Sequence, residues 1–410
     1  MDPRVLLTMT LALTIVGAPP AAGRVRWQHL STANGDLPLP GASPQQTACI
    51  IADLDGAGRP GIVLGFRHTA PALVWYRPTD AGYERYVIEP ELLTLEAGGT
   101  WADIDGDGWP DLVVGGDYQS NSVWWWRNPG PGWAPDARWE RYTLKASGAP
   151  MHHDQVFADF LGRGRPQLAY WNQRAQTIFL APIPDDPTAL TEWPAEAIYT
   201  GSGGAPAGAY AEGMSAADID GDGRPELLAG NLLIRWQPAA GWSATVAAAG
   251  ELGGLIYAGR LITGSRYPQI VIAPGDNVGP VRWYACADDD DPFRPGAWQP
   301  HDLVGRDLIH PHSLQLGDID GDGHLDIFVA EMAKWSENQP DPNHPTAEAL
   351  IFYGHGDGTF EPTVFQRGLG FHEARLADLD ASGRLSIINK PYNWSTPRLD
   401  IWLNLGPDGE

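Results

Sequence analysis

The sequence predicts an all-β protein, namely a seven-bladed β-propeller with four-stranded antiparallel blades. One acidic phrase recurs seven times along the 410 residues, at spacings of 41 to 60 residues. A repeat of this length, with short apolar runs between the copies, is typical of propeller blades. Pro and Gly are frequent and no long 3.6-residue pattern stands out, so helix is expected to be nearly absent.

The seven phrases share a turn rich in Asp and Gly that follows one short apolar run and precedes another. Such a turn is expected to be the hairpin loop between the first and second strands of a blade. The copies are ADLDGAGRPGIVLGF from Ala52, ADIDGDGWPDLVVGG from Ala102, ADFLGRGRPQLAYWN from Ala158, ADIDGDGRPELLAGN from Ala217, the worn AGRLITGSRYPQIVIAP from Ala258, GDIDGDGHLDIFVAE from Gly317 and ADLDASGRLSIINKP from Ala377.

Further apolar runs supply the outer strands of each blade. A third run follows every phrase, such as SVWWWRNP at 122–129, and a fourth follows most of them, such as RWERYTLK at 138–145. The seventh unit stops at Glu410 before its fourth run, whereas VRWQHLST at 25–32 resembles the fourth runs of other units. We therefore predict that the N-terminal strand completes the last blade, which leaves only short edges exposed.

The N-terminus predicts export of the chain. Residues 1–23 combine Arg4, an apolar run from Val5 to Val16 and a small-residue end, which is the pattern of a secretory signal peptide. No later segment has the ~18 uninterrupted apolar residues that a membrane helix needs. We expect a secreted or periplasmic protein without a membrane span, in which residues 24–410 form a single propeller.

Charge and cysteine content limit the partners and the bonding. Asp and Glu number 51 against 27 Lys and Arg, so the formal charge is −24. This balance argues against nucleic acid and anionic membranes, because both need a basic surface. Cys49 and Cys286 fall at unlike positions of different repeats, and we interpret them as unpaired core residues. The chain is expected to be a monomer.

The repeated D-x-D-G-D-G-x-x-D phrase, together with HGDGTF at 355–360, resembles the repeats of FG-GAP/VCBS proteins, which include the integrin-type propeller. The resemblance covers residues 25–410 and implies the propeller fold and calcium binding. Such propellers serve as adhesion modules, lectin-like binders and enzymes. The enzymes include secreted polysaccharide lyases and the propeller part of aldos-2-ulose dehydratases. The resemblance therefore leaves catalysis and binding both open.

Three of the acidic loops carry a full set of oxygen ligands. Carboxylates at spacing 1-3-5-9 in a tight Gly-rich turn point at one centre, and hard oxygen ligands of this number suit Ca²⁺. The same acids would also form simple Asx turns. We predict up to three structural calcium ions, held by Asp103, Asp105, Asp107 and Asp111; by Asp218, Asp220, Asp222 and Glu226; and by Asp318, Asp320, Asp322 and Asp326.

Five of the eleven histidines fall six to eight residues before the first Asp of a phrase. In a propeller this window is the start of the innermost strand, so its side chains should ring the mouth of the central channel, opposite the acidic loops. Polar side chains line wet channels in any case, so the ring could be lining without function. The sixth position before the Asp holds His153, Glu212, His312 and His372, with His152 and His310 one and two residues further back.

Loops after the second strands should reach the same face of the propeller. They supply candidate substrate-binding side chains and two further candidates for catalysis, Lys390 and Tyr392. The substrate-binding candidates are Arg67, His68, Asp117, Arg174, Asn231, Asp276, Lys334 and Trp394.

One interpretation of the ring is a carbohydrate lyase or dehydratase that works by β-elimination. Imidazole is the natural acid or base near neutral pH, with His312 or His372 as the base and His153 or Tyr392 as the acid. Lys390, Arg67 or Arg174 would stabilise the developing anion. A Zn²⁺ or similar ion on His153, His312, His372 and Glu212 would be an alternative, although three blades of separation strain a single-ion site.

The other interpretation is a non-catalytic module that binds glycans or proteins. Trp394, Trp335 and Tyr118 would then be stacking platforms, and Asp276 and Asn231 would accept hydroxyl groups. The two interpretations differ in what they require of the ring, because a lectin has little use for four titratable groups at one depth.

Overall fold

The computed structural model describes residues 24–135, 137–206, 209–333, 344–392 and 397–407. The predicted signal peptide, residues 1–23, lies outside these ranges. Within them, no helix is long and apolar enough to cross a bilayer, and the single helical segment is a 3₁₀ turn at Gly130–Gly132.

The described strands form seven four-stranded antiparallel sheets, as the sequence predicts. Blades 1 to 3 consist of β2 (Gln46–Ala52), β3 (Gly61–Phe66), β4 (Leu73–Thr79) and β5 (Gly82–Glu89); β6 (Thr100–Ala102), β7 (Asp111–Gly115), β8 (Val123–Arg127) and β9 (Glu140–Lys145); and β10 (Gln155–Ala158), β11 (Gln167–Asn172), β12 (Thr177–Pro182) and β13 (Glu196–Thr200). Blades 4 to 6 consist of β14 (Met214–Ala217), β15 (Glu226–Ala229), β16 (Leu232–Gln237) and β17 (Gly241–Val246); β18 (Leu255–Gly259), β19 (Gln269–Ala273), β20 (Val278–Cys286) and β21 (Trp298–Ile309); and β22 (Ser313–Gly317), β23 (Asp326–Ala330), β24 (Glu348–Gly354) and β25 (Phe360–Arg367).

The seventh blade joins the two ends of the chain. It contains β26 (His372–Ala377), β27 (Ser386–Lys390), β28 (Asp400–Asn404) and, as its outer strand, β1 (Trp27–Ser31). Strands β1 and β28 pair antiparallel, from Trp27 opposite Asn404 to Ser31 opposite Asp400. The predicted closure is therefore confirmed, with a strand slightly shorter than the apolar run at 25–32.

The apolar core lies between the blades. Seven clusters of buried residues occur in the described chain, and each joins two neighbouring blades. Trp75 of blade 1 packs with Trp126 of blade 2, and Phe328 of blade 6 packs with Trp402 of blade 7. Large rings suit these flat interfaces because each one buries much apolar area. Cys49 and Cys286 are buried and unpaired, as predicted.

The first strands of the blades surround the central channel. Each contacts the first strand of the next blade, from β2 and β6 round to β26 and β2, so they form a closed ring. The acidic loops follow these strands, whereas the histidine window precedes them. The two features therefore lie on opposite faces of the propeller, as expected.

One outer strand was missed by the sequence pattern. Strand β13, with the sequence EAIYT, completes blade 3, and three of its five residues are exposed. A short strand with so few buried side chains leaves no apolar alternation to detect.

Candidate functional site

A cavity of about 480 Å³ opens at the face where the innermost strands begin. This volume is in the range of small-molecule sites. Eight of the predicted site residues line it: His153, Glu212, His312, His372, Tyr392, Arg67, His68 and Asp276. Other side chains at its wall are Gln45, Glu96, Tyr118, Gln173, Tyr210 and Asn277.

Two histidines of the ring face a single carboxylate. The Nε2 atom of His312 lies 3.2 Å from Oε2 of Glu212, and Nε2 of His153 lies 3.8 Å from the same oxygen. All three side chains are buried. Blades 3, 4 and 6 therefore bring their equivalent strand starts to one point at the channel mouth.

A second pair of carboxylates lies beside the far nitrogens of the two rings, within hydrogen-bond distance for His153 and beyond it for His312. Oδ2 of Asp154 lies 2.6 Å from Nδ1 of His153, and Oε1 of Glu373 lies 3.7 Å from Nδ1 of His312. Asp154 and Glu373 share a repeat position, five residues before the first Asp of their phrases. Both adopt a left-handed backbone, with φ of 54° and 53°, which is uncommon for non-glycine residues. Neither residue belongs to the predicted ring, which ends one position earlier, although their shared repeat position was a usable signal.

These carboxylates decide the charge of the two imidazoles. Burial by itself would lower both pKa values, but the anionic neighbours outweigh it. Asp154 and Glu212 raise the pKa of His153 to about 10, and Glu212 raises the pKa of His312 to about 9. At neutral pH both imidazoles would thus be protonated and carry a total charge of +2, which one divalent cation could replace.

The same three side chains fit a divalent metal. One ligand atom each from His153, Glu212 and His312 lies within 4.8 Å of the others. In a tetrahedral zinc site with bonds of ~2.0–2.1 Å, ligand atoms are about 3.3 Å apart, close to the two distances from Glu212. The carboxylate of Asp154 on the far nitrogen of His153 is a common outer partner of metal-binding histidines. Although these three residues come from different blades, their ligand atoms lie close enough for a single ion. His372 is not part of this three-residue group.

His372 stacks on His312, with ring centroids 4.4 Å apart, and its Nδ1 contacts the ammonium of Lys390. It also contacts the ring of Tyr392, with ring centroids 4.6 Å apart. Arg67 donates to the hydroxyl of Tyr392 at 2.6 Å. His372, backed by the amine of Lys390, and Tyr392, backed by the guanidinium of Arg67, are therefore adjacent at the cavity wall.

Arg67 is held by two acids rather than pointing alone into the cavity. It forms an ion pair with Glu96 and a second, at 3.4 Å, with Asp117. Glu96 was missed because it lies seven residues before Asp103, where the sequence analysis considered histidines only. The charge of Arg67 is thus balanced by the two acids, and its role is to donate to Tyr392 and not to bind an anionic ligand.

Several predicted site residues do not line the cavity. Lys390 is fully buried behind His372, and Asn231 and Asp117 are also buried. Arg174 lies over the ring of Tyr210. Lys334 and Trp394, with Trp335, are outside the described residues.

The two remaining histidines of the window point elsewhere. His152 is buried beside Nδ2 of Asn172, at 3.2 Å, and burial lowers its pKa to about 3. His310 lies 2.7 Å from the carbonyl oxygen of Asp276. Neither side chain lines the cavity.

The acidic loops share one hydrogen-bonded turn. In blade 6, Gly321 N–H and Gly323 N–H donate to Asp318, at 2.8 and 3.0 Å. Blade 7 lacks the full ligand set, yet Gly383 N–H donates to Asp378 in the same way, at 2.8 Å. These bonds therefore build the turn in either kind of loop and do not distinguish calcium binding from an Asx turn.

Oxygen clusters distinguish the three loops with the full set. Asp103, Asp105 and Asp107 bring one oxygen each within 4.8 Å of the others, as do three acids in blade 4 and three in blade 6. Within the described residues, the other acidic loops form no such group. Burial, with smaller contributions from Asp105 and Asp107, raises the pKa of Asp111 to about 7. The corresponding groups of the other two clusters are Asp218, Asp220 and Glu226, and Asp318, Asp320 and Asp326.

Residues 103–170 and 318–388 match the FG-GAP-like repeat. The acidic phrases of blades 2 and 6 open these two segments, so the resemblance in sequence and the propeller in structure agree. A search of curated proteins gives no significant match.

Solved structures with the same fold are distant in sequence. BBS1N, crystallised in complex with ARL6DN and soaked with lead, has a TM-score of 0.50 at 12% identity, covering 91% of this chain and 94% of that one. The rhamnogalacturonan lyase YesW has a TM-score of 0.49 at 14% identity, covering 91% and 75%. The exotype rhamnogalacturonan lyase YesX has a TM-score of 0.47 at 12% identity, covering 90% and 75%. At 12% identity the likeness to BBS1N shows the propeller fold alone.

Proposed function

We propose that this seven-bladed propeller of FG-GAP-like repeats is a carbon–oxygen lyase that acts on a carbohydrate by β-elimination. The convergence of His153, His312, His372, Glu212 and Tyr392 on one cavity is the observation that supports it. β-Elimination needs a base for a proton beside a carbonyl or carboxylate, an acid for the departing oxygen, and positive charge for the developing enolate.

His372 is the base in this proposal. Both ring nitrogens of His153 and of His312 face carboxylates, so neither ring is poised to accept a proton from a substrate. His372 instead lines the cavity with an amine behind it. Its stacking on His312 fixes the plane of the ring.

Tyr392 is the acid. Its hydroxyl oxygen accepts a 2.6 Å hydrogen bond from Arg67, and the hydroxyl lies 3.3 Å from Oε1 of Gln45. When the phenol gives its proton to the departing oxygen, the guanidinium is in place to stabilise the phenolate. Arg67 therefore supports the acid and is not the anion clamp considered from sequence.

Positive charge for the enolate would come from the three-ligand group. His153, Glu212 and His312 would hold a divalent cation such as Zn²⁺, which when bound supplies a Lewis acid for a carbonyl or carboxylate oxygen. Asp154 would hold the ring of His153 in place through Nδ1, and the backbone N–H of Asp276 would hold the carboxylate of Glu212.

Export and calcium belong to the same proposal. Residues 1–23 would direct the chain to a secreted or periplasmic location. The oxygen clusters of blades 2, 4 and 6 would bind Ca²⁺ and stabilise the face opposite the cavity.

The experiment is a screen of oxidised sugars and uronic-acid glycans for the absorbance of a newly formed conjugated double bond. On any substrate turned over, His372→Gln should lower the rate by ~10²–10⁴, the usual effect of losing an acid–base group. His152→Gln is the matched control, since His152 is a buried histidine of the same window outside the cavity. Equal activity of the two variants would contradict the assignment.

A binding module is the second candidate. Tyr118 lines the cavity with 48% of its surface exposed, and an exposed ring suits stacking on a sugar. A glycan that binds at the cavity, depends on Tyr118 and is never cleaved would favour this candidate.

A further inference from the structure

One side of the cavity has no part in the proposed elimination. Tyr118 follows β7 in blade 2, Gln173 follows β11 in blade 3 and Tyr210 precedes β14 in blade 4, and all three side chains line the cavity. Around the closed ring of seven blades, blade 3 lies three blades from blade 7, which carries His372 and Tyr392. The three residues, called the distal wall below, therefore lie across the cavity from the proposed base and acid.

Gln173 presents an acceptor that lacks a donor. Its side chain is 2% exposed, and its Nε2 donates to the carbonyl oxygen of Ala211 at 2.7 Å, which fixes the orientation of the amide. Its Oε1 is buried and has no hydrogen-bond partner among the residues that the structure describes. A buried oxygen without a donor is costly. At a cavity wall this indicates a ligand that supplies the donor, and a hydroxyl group is one that fits.

Arg174, the next residue in the chain, brings a positive charge to the same side. Its guanidinium carbon lies 4.9 Å from the centroid of the Tyr210 ring, a distance at which a cation and an aromatic face attract each other. Arg174 is exposed and forms no ion pair with any residue in the described ranges. A guanidinium has five N–H donors that match a carboxylate. The stacking therefore holds at the cavity edge a cation that no acid of the described chain occupies.

We propose that the distal wall and Arg174 form a subsite for a second sugar unit of the substrate, and that this unit is a uronic acid. The inference rests on the proposed function, which places the reacting unit at the wall of blade 7. Tyr118 and Tyr210 stack on the apolar face of the neighbouring sugar ring. Oε1 of Gln173 accepts a hydrogen bond from one of its hydroxyl groups, and Arg174 binds its carboxylate. The substrate is therefore an anionic glycan chain and not an oxidised monosaccharide.

The charges around the cavity favour a carboxylate at Arg174 over a neutral group. Glu96 forms its ion pair with Arg67, and Glu212 lies 3.2 Å from Nε2 of His312, so these acids of the cavity already have cationic partners. Arginine and carboxylate form paired, charge-assisted hydrogen bonds that are stronger than those to a neutral hydroxyl. A uronic-acid chain also places a carboxylate on the reacting unit, where elimination requires an acidic neighbouring C–H bond.

Calorimetric binding of uronic-acid tetrasaccharides to the full chain tests the subsite without turnover. The probes are tetramers of galacturonate, mannuronate and glucuronate, each with its methyl ester, in which the same rings carry no charge. His372→Gln is the background, so that no probe is cleaved during the titration. We expect at least one tetramer to bind more tightly than its ester at low ionic strength. Arg174→Gln should weaken the binding of that tetramer about fivefold, the upper range for an exposed ion pair, and leave the ester unchanged.

Arg163→Gln is the matched control, because Arg163 is an exposed arginine of the same blade in the acidic turn on the opposite face. It should bind every probe like the background chain. Tyr210→Ala should weaken the acid and the ester together, since stacking on the ring does not depend on the carboxylate. No binding of any tetramer, equal affinities for acid and ester, or equal losses in the two arginine variants would overturn the subsite.

The two proposals fail in distinguishable ways. Binding that depends on Arg174, in a native chain that cleaves none of the tetramers, would support the subsite and count against the lyase proposal alone. Turnover of an oxidised monosaccharide by a chain that binds no tetramer would overturn the subsite and leave the lyase proposal in place.

Discussion

Glu212→Gln is the sharpest perturbation of the three-ligand group. The backbone N–H of Asp276 donates to Oε1 of Glu212, and would hold the oxygen of a glutamine in that place. The –NH₂ group would then take the position of Oε2, 3.2 Å from Nε2 of His312 and 3.8 Å from Nε2 of His153. An amide nitrogen does not bind a metal in this form, so the site loses its one anionic ligand while the shape of the cavity is kept.

The expected loss of zinc affinity is at least tenfold. Removing an outer partner of a ligand commonly costs 10–100-fold, and a ligand itself should cost no less. A tenfold loss corresponds to about 1.4 kcal/mol of binding free energy. The assay is titration with Zn²⁺ against a chromophoric chelator, in excess Ca²⁺ so that the acidic loops on the other face do not compete.

Asp276→Asn is the matched control for charge. Asp276 lines the same cavity but is outside the three-ligand group, so its loss lowers the negative charge without removing a ligand. We expect its zinc affinity to stay within a fewfold of the native value. If Glu212→Gln binds Zn²⁺ as tightly as the native chain, or Asp276→Asn weakens binding equally, the site is not a coordination centre.

Three further predictions concern stability. Ca²⁺ at ~100-fold over its Kd should add about 2.7 kcal/mol to the unfolding free energy, so EDTA should lower the melting temperature. Asp218→Asn should weaken this effect of EDTA, whereas Asp159→Asn, in the incomplete loop of blade 3, should preserve it. Equal effects of EDTA on the two variants would refute calcium binding in blade 4. Deleting residues 24–31 should lower the melting temperature and cause association through the exposed edge of blade 7, so a truncated chain that is monomeric and melts like its parent would contradict the closure. Because the pKa of Lys390 is about 7 in the folded chain and about 10.4 in the unfolded chain, the unfolded state binds the extra proton between these values. The unfolding free energy should therefore rise with pH across that window, and urea titrations of Lys390→Met, normalised to the native chain, should lack this rise.

The blade plan and the ring could be predicted because both follow from positions within a repeat. One phrase per blade places the sixth residue before its first Asp at the channel mouth, so His153, His312 and His372 were found by counting. What those rings contact could not be counted in this way, because Glu373 of blade 7 lies beside His312 of blade 6. Lys390 resembled a cation for the substrate because sequence does not show that a side chain turns inward toward the carbonyls of β2.

Blade 3 shows the other limit of the pattern. Its outer strand β13 is only five residues long and mostly exposed, so its place in the sheet is set by pairing with β12 instead of by buried side chains. Backbone pairing of that kind leaves little trace in the sequence, whereas second strands such as β3, β7 and β19 are buried on both faces and carry continuous apolar runs.

The walls of the cavity come from corresponding positions of different blades, while the turn at the far end of each inner strand is held by its own hydrogen bonds. A single substitution six residues before the first Asp of a phrase therefore alters one part of the cavity wall and leaves that turn intact. Thr47 and Ala97 occupy this position in blades 1 and 2, whereas blades 3, 4, 6 and 7 present a histidine or a glutamate there. The cavity wall can therefore change one blade at a time. Introducing histidine at Ala97 would be a direct way to change the chemistry of the wall while the propeller is kept.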